Sequence, residues 1–388
     1  MPHERKRHAV EHLRKLAALW PAVGVVGPRQ VGKSTLVRNQ LGISRQYTLD
    51  DEDTLGEIEA SAKVFVARLN PPVLIDEVQK APKLFDALKA RIDRKRIPGQ
   101  FYLTGSAQFS SRLGIRESLT GRIGLFRLHP LTLAEVHQKP LLAQVGLQNK
   151  APRFSIDEFS SAMERGGLPF PAFLRDPQSV QLYWQSWLDT TVYRDIARFF
   201  KSAYDPRITM RILNKLRDCA LNGGHFQIAD LPSIQSRRLH SYLQAMEEAF
   251  LLRRLSCHED GVGKDQWMLF DSGLLYHLFA GARSEGATLS LARTFLFNEL
   301  SALAEYSGRR TELTYFKSSR GKPVDLVWDG IPIKLITSTS LKNLGWQTRA
   351  LHGAMKALGV HQAAIVAPVS KPVIEKRGIS ILPWSYWS

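Results

Sequence analysis

Gly27-Pro28-Arg29-Gln30-Val31-Gly32-Lys33-Ser34 places two glycines, a lysine and a hydroxyl within eight residues, and Thr35 follows. Those types in that order suit a bound triphosphate. Glycines let the backbone turn tightly, so that successive N–H groups point inward at phosphate oxygens. A lysine reaches the β- and γ-phosphates, and a hydroxyl takes one coordination position on Mg²⁺. A second candidate group is Asp76-Glu77. The first carboxylate suits Mg²⁺ held through water; the second suits orienting and deprotonating an attacking water. A third is Thr104-Gly105-Ser106, whose small hydroxyls Thr104 and Ser106 are placed to sense a γ-phosphate. The same tripeptide is also ordinary turn chemistry.

Each group needs an element to hold it. Ala22-Val23-Gly24-Val25-Val26 reads as a buried parallel strand, and Thr35-Leu36-Val37-Arg38 starts a helix. The first motif therefore lies in a strand, loop, helix context, with the helix N-terminus adding positive potential. Val73-Leu74-Ile75 is a second buried run that ends at Asp76, and Phe101-Tyr102-Leu103 a third that ends at Thr104. Acids at the ends of parallel strands lie at the carboxyl edge of the sheet, where α/β ligands bind. Ahead of all this, residues 4–18 carry apolar residues at helical spacing among Arg5, Arg7, Arg14 and Lys15.

Taken as a set, the loop at 27–34, Leu74-Ile75-Asp76-Glu77-Val78-Gln79, Leu103-Thr104-Gly105-Ser106 and Ser118-Leu119-Thr120-Gly121-Arg122 resemble the AAA-type P-loop ATPases. The closer resemblance is to a bacterial and archaeal subfamily of them, and Leu128-His129-Pro130-Leu131 supplies the return strand and turn expected there. The resemblance covers nearly all of residues 1–200, including Tyr193-Arg194-Asp195-Ile196. It implies an α/β parallel-sheet ATPase domain, ATP and Mg²⁺ as ligands, and homo-oligomeric assembly in a partial or complete ring, hexameric in the complete case. In such assemblies an arginine from a neighbouring subunit neutralises charge on the transferred phosphoryl group. Arg122 is the first candidate by its place in Thr-Gly-Arg, and Arg116 the second. The alternative is two exposed basic residues without a partner.

Beyond a connector at 141–155, Tyr183, Trp184, Trp187, Leu188, Val192 and Ile196 recur at helical spacing. A packed helix core explains them better than an aromatic ligand box. Residues 207–255 then read as three short helices, at 208–220, from 226 to 231, and at 236–249, followed by a strand at 251–255. Three helices and a β wing make a DNA-binding plan. Ser233, Arg237, Arg238 and His240 would lie near the start of the recognition helix, within reach of phosphates or base edges. The competing reading is a module that packs between subunits or binds protein.

The last third reads as a helix at 291–306, strands at 313–316, 323–328 and 331–336 with an Asp329-Gly330 hairpin turn, a helix at 344–357 and a strand at 363–366. This order resembles the restriction-endonuclease-like fold, which the same ATPase subfamily often carries at its C-terminus. Active members need an acid on the first hairpin strand and Glu-x-Lys on the second, with metal bound by the acids. Asp325 is present and Glu299 is a candidate helix acid, but the Glu position falls at Lys334 and the Lys position at Ile336. A lysine cannot ligate Mg²⁺, so no cleavage is expected from this domain.

The whole chain has 388 residues, with 53 Lys and Arg against 36 Asp and Glu, a formal net charge of +17. Such a surplus favours polyanion partners: nucleic acid, nucleotide phosphates or an anionic membrane surface. Residues 1–45 alone hold nine Lys/Arg against two Asp/Glu, so the surplus is spread along the chain. The two cysteines, Cys219 and Cys257, have no metal spacing, which excludes a disulfide scaffold and a cysteine zinc site and fits a reducing compartment. No apolar run reaches bilayer length and no signal-peptide pattern opens the chain, so the expected location is the cytoplasm, without a membrane partner. The expected organisation is an AAA-type ATPase domain at 1–140, a helical and winged-helix region at 151–285, and an inactive nuclease-like domain at 286–388. The expected function is Mg-ATP hydrolysis by an oligomer that binds nucleic acid, DNA in preference, with branched or structured DNA among the candidates. A nucleotide-gated protein-interaction switch is the alternative, and an ATP-dependent nuclease the weakest of the three.

Overall fold

The computed structural model of the chain describes residues 4–106, 119–142, 147, 152–200, 204–309, 311–319, 321–338, 344–374 and 378–388. Helix α1 (Ala9–Leu19) leads into strand β1 (Ala22–Val26), and α2 (Lys33–Thr35) continues as a wider π-turn over Leu36–Gln40. Then follow β2 (Gln46–Thr48), α3 (Glu52–Arg68), β3 (Val73–Asp76), α4 (Lys83–Arg94), β4 (Phe101–Gly105) and β5 (Ile123–Arg127). The five strands form one parallel sheet in the order β2-β3-β4-β1-β5. This is a parallel-sheet α/β core. Val23 and Val25 face one apolar layer, and Ala22, Val26, Ile75 and Leu103 face another that includes Phe65 of α3 and Phe85 of α4. A strand buried on both faces reads as a continuous apolar run, which is why the sequence marks these strands so plainly.

The middle of the chain is helical. A short turn α5 (Leu133–Val136) precedes α6 (Ile156–Arg165) and α7 (Pro177–Thr190), which tightens into a π-turn (Thr191–Asp195) and a 3₁₀ turn (Ile196–Phe199). Trp184, Trp187, Leu188, Val192 and Ile196 are buried in the core, whereas Tyr183 is only half-buried. Then come α8 (Pro206–Leu221), α9 (Ser236–Glu248), β6 (Leu252–Leu255) and β7 (Gln266–Leu269), the two strands pairing antiparallel. The helix expected from 226 to 231 is instead a single 3₁₀ turn, Ile228–Asp230. Gln227 and Asp230 cap each other across it, and Pro232 prevents its continuation. Phe226 just before it is extended and bridges Trp267 of β7.

After α10 (Ser272–Leu278) comes α11 (Glu285–Ser307), apolar on every side and buried along nearly all its length. It packs against α1, α6, α8 and α10 and against the second sheet, so it acts as a central strut. That sheet is built from β8 (Thr314–Phe316), β9 (Val324–Trp328), β10 (Ile331–Leu335), β11 (Ala363–Ala367), β12 (Val373–Ile374) and β13 (Ile379–Pro383), with α12 (Gly345–Leu358) between β10 and β11. The order is β12-β13-β11-β10-β9-β8, and β12 and β13 have no counterpart among the expected elements. One apolar cluster runs from Leu13 through Trp184 and Phe295 to Trp387, so the regions share a core.

Candidate active site

The strand order explains how residues far apart in sequence meet. Parallel pairing puts the carboxyl ends of β1, β3 and β4 at one edge, with β4 between the other two. The loop after β1, the acids after β3 and the hydroxyls after β4 therefore converge.

The loop backbone shows why its glycines are needed. A Cβ on Gly27 would collide with the carbonyl of Leu128, and Gly32 has a left-handed φ of 97°. Gln30 takes a φ of 63°, unusual for a residue with a side chain. Two side chains of α7 brace this strained loop from outside. Tyr183 Oη donates to Gln30 Oε1 at 2.8 Å, and Trp187 Nε1 to the Arg29 carbonyl at 3.3 Å. Arg29 also pairs with Asp195 at 3.7 Å.

Lys33 is buried, and its Nζ donates to the carbonyls of Gly27 at 3.0 Å and Pro28 at 2.9 Å. Burial pushes the ammonium below its ordinary value, with Glu77, Asp76 and Asp195 acting the other way. Ser34 Oγ donates to Asp76 Oδ2 at 2.7 Å, and Thr104 Oγ1 donates to Asp76 Oδ1. The Glu77 N–H donates to Asp76 at 3.1 Å. Asp76 thus has hydroxyl and amide neighbours and, among the described residues, no cation in an ion pair with it. Adjacent hard oxygens from Ser34 and Asp76 are a donor set that fits Mg²⁺.

Glu77 has a left-handed φ of 58°, which swings its carboxylate out of the strand line. Ser106 Oγ donates to Glu77 Oε2 at 2.9 Å, Gln79 Nε2 donates to the same oxygen, and Gln79 reaches Ser106 at 3.2 Å. Gln79 was not among the expected site residues; its position two residues past Glu77 was the only sequence signal. The cleft in front of these groups measures about 720 Å³ and is lined by Lys33, Ser34, Thr35, Glu77, Phe170 and Tyr183, among others. Phe170 and Tyr183 stack there with centroids 5.4 Å apart. Tyr183 belongs to the cleft as well as to the helix, which helical spacing alone did not reveal.

Arg7 is a second residue whose importance the sequence concealed. It lies among the basic residues of an apparent surface helix, yet it is buried and precedes α1. Its Nε pairs with Glu135 at 3.1 Å, Nη1 donates to the Val31 carbonyl at 3.0 Å and Nη2 to the His129 carbonyl at 2.6 Å. Burial alone would lower the guanidinium; Glu135 and Tyr306 outweigh it and hold Arg7 above its ordinary value. The N-terminal segment is thereby tied to the loop through Val31.

Arg122 is at the opposite edge of the sheet, immediately before β5, with its carbonyl accepting from Ala22 N at 3.1 Å. Its guanidinium is held by Asp93 in the same chain, at 2.6 and 2.9 Å. Arg122 is therefore not part of its own chain's cleft. Arg116 lies outside the described residues.

The nucleic-acid candidates cluster on one surface. Ser233, Arg237, Arg238 and His240 are all exposed at the start of α9. Arg211 of α8 reaches Ser233 Oγ at 2.8 Å, and exposed Arg207 pairs with Asp205 at 3.0 Å, extending the basic face onto α8.

The two candidate acids of the C-terminal region, Asp325 and Glu299, do not meet. Asp325 is buried between Lys334 at 2.9 Å and Arg293 of α11 at 3.1 Å, and also accepts from Leu335 N at 2.9 Å. Glu299, also on α11, instead accepts from Leu133 N at 2.9 Å, on the side facing the first sheet's return turn. Arg293, six positions before Glu299 on the same helix, is the residue that reaches the hairpin.

Residues 20–137 match a family model described as an AAA domain, and residues 156–286 match one described as a domain of unknown function. The uncharacterized protein Rv2008c of Mycobacterium tuberculosis is 27% identical over 395 residues, covering 94% of this chain and 80% of that protein. Among solved structures, the Walker-type ATPase PABY2304 of Pyrococcus abyssi is 14% identical with a TM-score of 0.40, covering 70% of this chain and 94% of its own. The Thermotoga maritima RuvB Holliday junction branch migration motor is 17% identical with a TM-score of 0.30, covering 63% and 86% respectively. The AAA-domain match spans Gly27–Ser34, Asp76-Glu77 and Thr104–Ser106, the groups that converge at the cleft.

Proposed function

We propose that this protein hydrolyses ATP with Mg²⁺ and uses the nucleotide state to govern its hold on DNA. The observation that carries the ATPase reading is the meeting of Lys33, Ser34, Asp76 and Glu77 at one sheet edge, in front of a cleft of about 720 Å³. Mg²⁺ held by Ser34 and Asp76 would neutralise charge on the phosphates. Lys33 would exchange its bonds to Gly27 and Pro28 for the phosphate oxygens. Glu77 would orient water and accept its proton, with Ser106 and Gln79 fixing the carboxylate. Thr104 orients Asp76 from the opposite side.

Arg122 is proposed to act on a neighbouring subunit's nucleotide. Its place at the far edge of the sheet suits an interface between copies in a ring, where the bond to Asp93 would be exchanged for the neighbour's phosphates. The DNA reading draws on the net charge of +17 and on the exposed arginines of α8 and α9, which we read as a winged-helix surface. We read the C-terminal sheet as a nuclease-like scaffold without cleavage chemistry, because Lys334 and Arg293 already occupy Asp325. A protein partner is the second reading, favoured by Leu182 and Tyr193, which are 72% and 62% exposed.

Phosphate release from ATP tests the proposal, measured with and without duplex and branched DNA at two salt concentrations. Lys33→Ala is expected to abolish turnover. Salt-sensitive DNA binding weakened by Arg237→Ala/Arg238→Ala supports the DNA role; turnover indifferent to DNA, without saturable DNA binding, favours the protein partner.

A further inference from the structure

A second cavity, of about 440 Å³, opens where the first sheet, β6 and α11 meet. Its inner wall includes Pro28 of the phosphate loop, Arg127, His129, Phe250, Arg253 and Phe297. It is within the size range of ligand pockets, about 300–1,000 Å³, and such pockets favour junctions of this kind.

Two guanidiniums line it. Arg127 lies over the Phe250 ring and Arg253 over the Phe297 ring, each 5.5 Å from the centroid. Arg253 Nη2 donates to His129 Nδ1 at 3.0 Å, a ring that burial and the adjacent arginines Arg253, Arg127 and Arg7 keep neutral. Among the described residues no carboxylate forms an ion pair with either arginine. Of the nearby acids, Glu305 accepts from the Arg127 backbone N–H at 2.9 Å, Glu247 pairs with Arg254 at 3.8 Å, Asp271 accepts from Gly167 N at 2.9 Å and Gly273 N at 2.7 Å, and Glu312, also on the lining, is exposed to solvent and forms no ion pair with either arginine. Burial, and then Arg127, push Arg253 down to about 9.

Arg7 gives the contrast within the same molecule. It is buried where Arg127 and Arg253 are half-buried, and Glu135 neutralises it at 3.1 Å. A buried cation left without such a partner is costly. Two side by side, facing a cavity rather than packed protein, lack an anion.

We propose that this cavity is a second anion site, separate from the phosphate loop's cleft, which takes a small phosphorylated molecule with its phosphate between Arg127 and Arg253. Guanidiniums bind phosphate with paired hydrogen bonds, and Phe250 and Phe297 offer faces for the ligand's apolar part. Because Pro28 lines the cavity, an occupant touches the phosphate loop from behind, so the site is placed to modulate nucleotide turnover.

Inorganic pyrophosphate is the probe, titrated calorimetrically. Lys33→Ala is expected to remove one binding event and retain another. In that background, Arg127→Gln and Arg253→Lys are each expected to weaken the retained event at least tenfold. Arg253→Gln without ligand is expected to melt no lower than wild type, since it removes an uncompensated charge. The proposal is overturned if Lys33→Ala leaves no saturable pyrophosphate binding, if the arginine variants bind as Lys33→Ala does, or if Arg253→Gln melts well below wild type. Dependence of duplex DNA binding, but not of pyrophosphate binding, on these arginines would also overturn it and assign the cavity to the nucleic-acid surface.

Discussion

Asp76 and Asp325 are both aspartates on interior strands, and the protein surrounds them in opposite ways. Asp76 is met by the hydroxyls of Ser34 and Thr104 and by an amide, and it borders an open cleft. Asp325 is met by an ammonium and a guanidinium within 3.1 Å, one on each carboxylate oxygen. Hydroxyls orient a carboxylate without cancelling its charge, whereas cations cancel it. An acid on a strand is therefore a metal site only where the surrounding chain withholds positive charge. At Asp325 the chain supplies from within what Mg²⁺ would supply from outside.

The largest expected effect lies on the open side of this comparison. Glu77→Gln retains the shape and the left-handed backbone of the residue but cannot accept a proton. ATP turnover is expected to fall by about 10²–10⁴-fold, the usual range for losing a general base. Nucleotide binding should stay within a few-fold of wild type, because Lys33, Ser34 and Asp76 are untouched. Phosphate release and nucleotide titration measure the two quantities. Turnover unchanged in Glu77→Gln would break the reading of the cleft as catalytic.

The next effect contrasts the two aspartates in stability. Asp325→Ala strands Lys334 and Arg293 as buried charges and is expected to cost about 3–5 kcal/mol. Asp76→Asn keeps its polar neighbours partnered and should cost about 1 kcal/mol or less. Urea unfolding of both variants measures the difference, and equal losses would erase the distinction. Burial would raise the Asp325 carboxyl, but Lys334 and Arg293 outweigh it and hold the group down at about 2. A folded value below the unfolded one, about 4, means that the contribution is present above pH 4 and is lost as pH falls toward 2. The acid limb of the stability profile should therefore be shallower in Asp325→Ala.

Much of the first half of this comparison was legible in the sequence. Ala22–Val26, Val73–Ile75 and Phe101–Leu103 announce buried parallel strands by being apolar throughout, and each ends at residues of the proposed site. Gly27 and Gly32 are explained by backbone constraints that act within a few residues. Lys334 in place of an acid was likewise legible, because a change of charge sign is a local fact. What stayed hidden depended on partners distant in sequence. Arg7 differs from Arg5 in finding Glu135, 128 residues away, and the buried carbonyls beside it. Glu299 and Arg293 lie six positions apart on one helix, and only the packing of α11 between the two sheets decides which of them reaches Asp325. The 3₁₀ turn at Ile228–Asp230 was missed because a mutual cap and Pro232 overrode an apolar pattern that suits a helix.

Glu299 is a third solution to the same problem, and it gives the smallest of the expected effects. It is buried, it accepts from Leu133 N at 2.9 Å, and among the described residues no cation forms an ion pair with it. With neither an open cleft nor a paired cation, the group is left to take up a proton: burial pushes its carboxyl up to about 8. The sign follows from proton counts. Between about pH 4.5 and pH 8 the folded chain holds a proton on Glu299 that the unfolded chain has released, so stability falls as pH rises across that window. Above pH 8 the full penalty of a buried carboxylate is present. Glu299→Gln has the shape of the protonated acid and no charge to bury. It should melt slightly higher than wild type at pH 7 and lose part of the decline between pH 6 and pH 8. Melting curves across that range decide the matter. If wild type and Glu299→Gln change in parallel with pH, Glu299 is ionised in the folded protein, and Ser388 and Arg153, which favour the charged form, outweigh its burial.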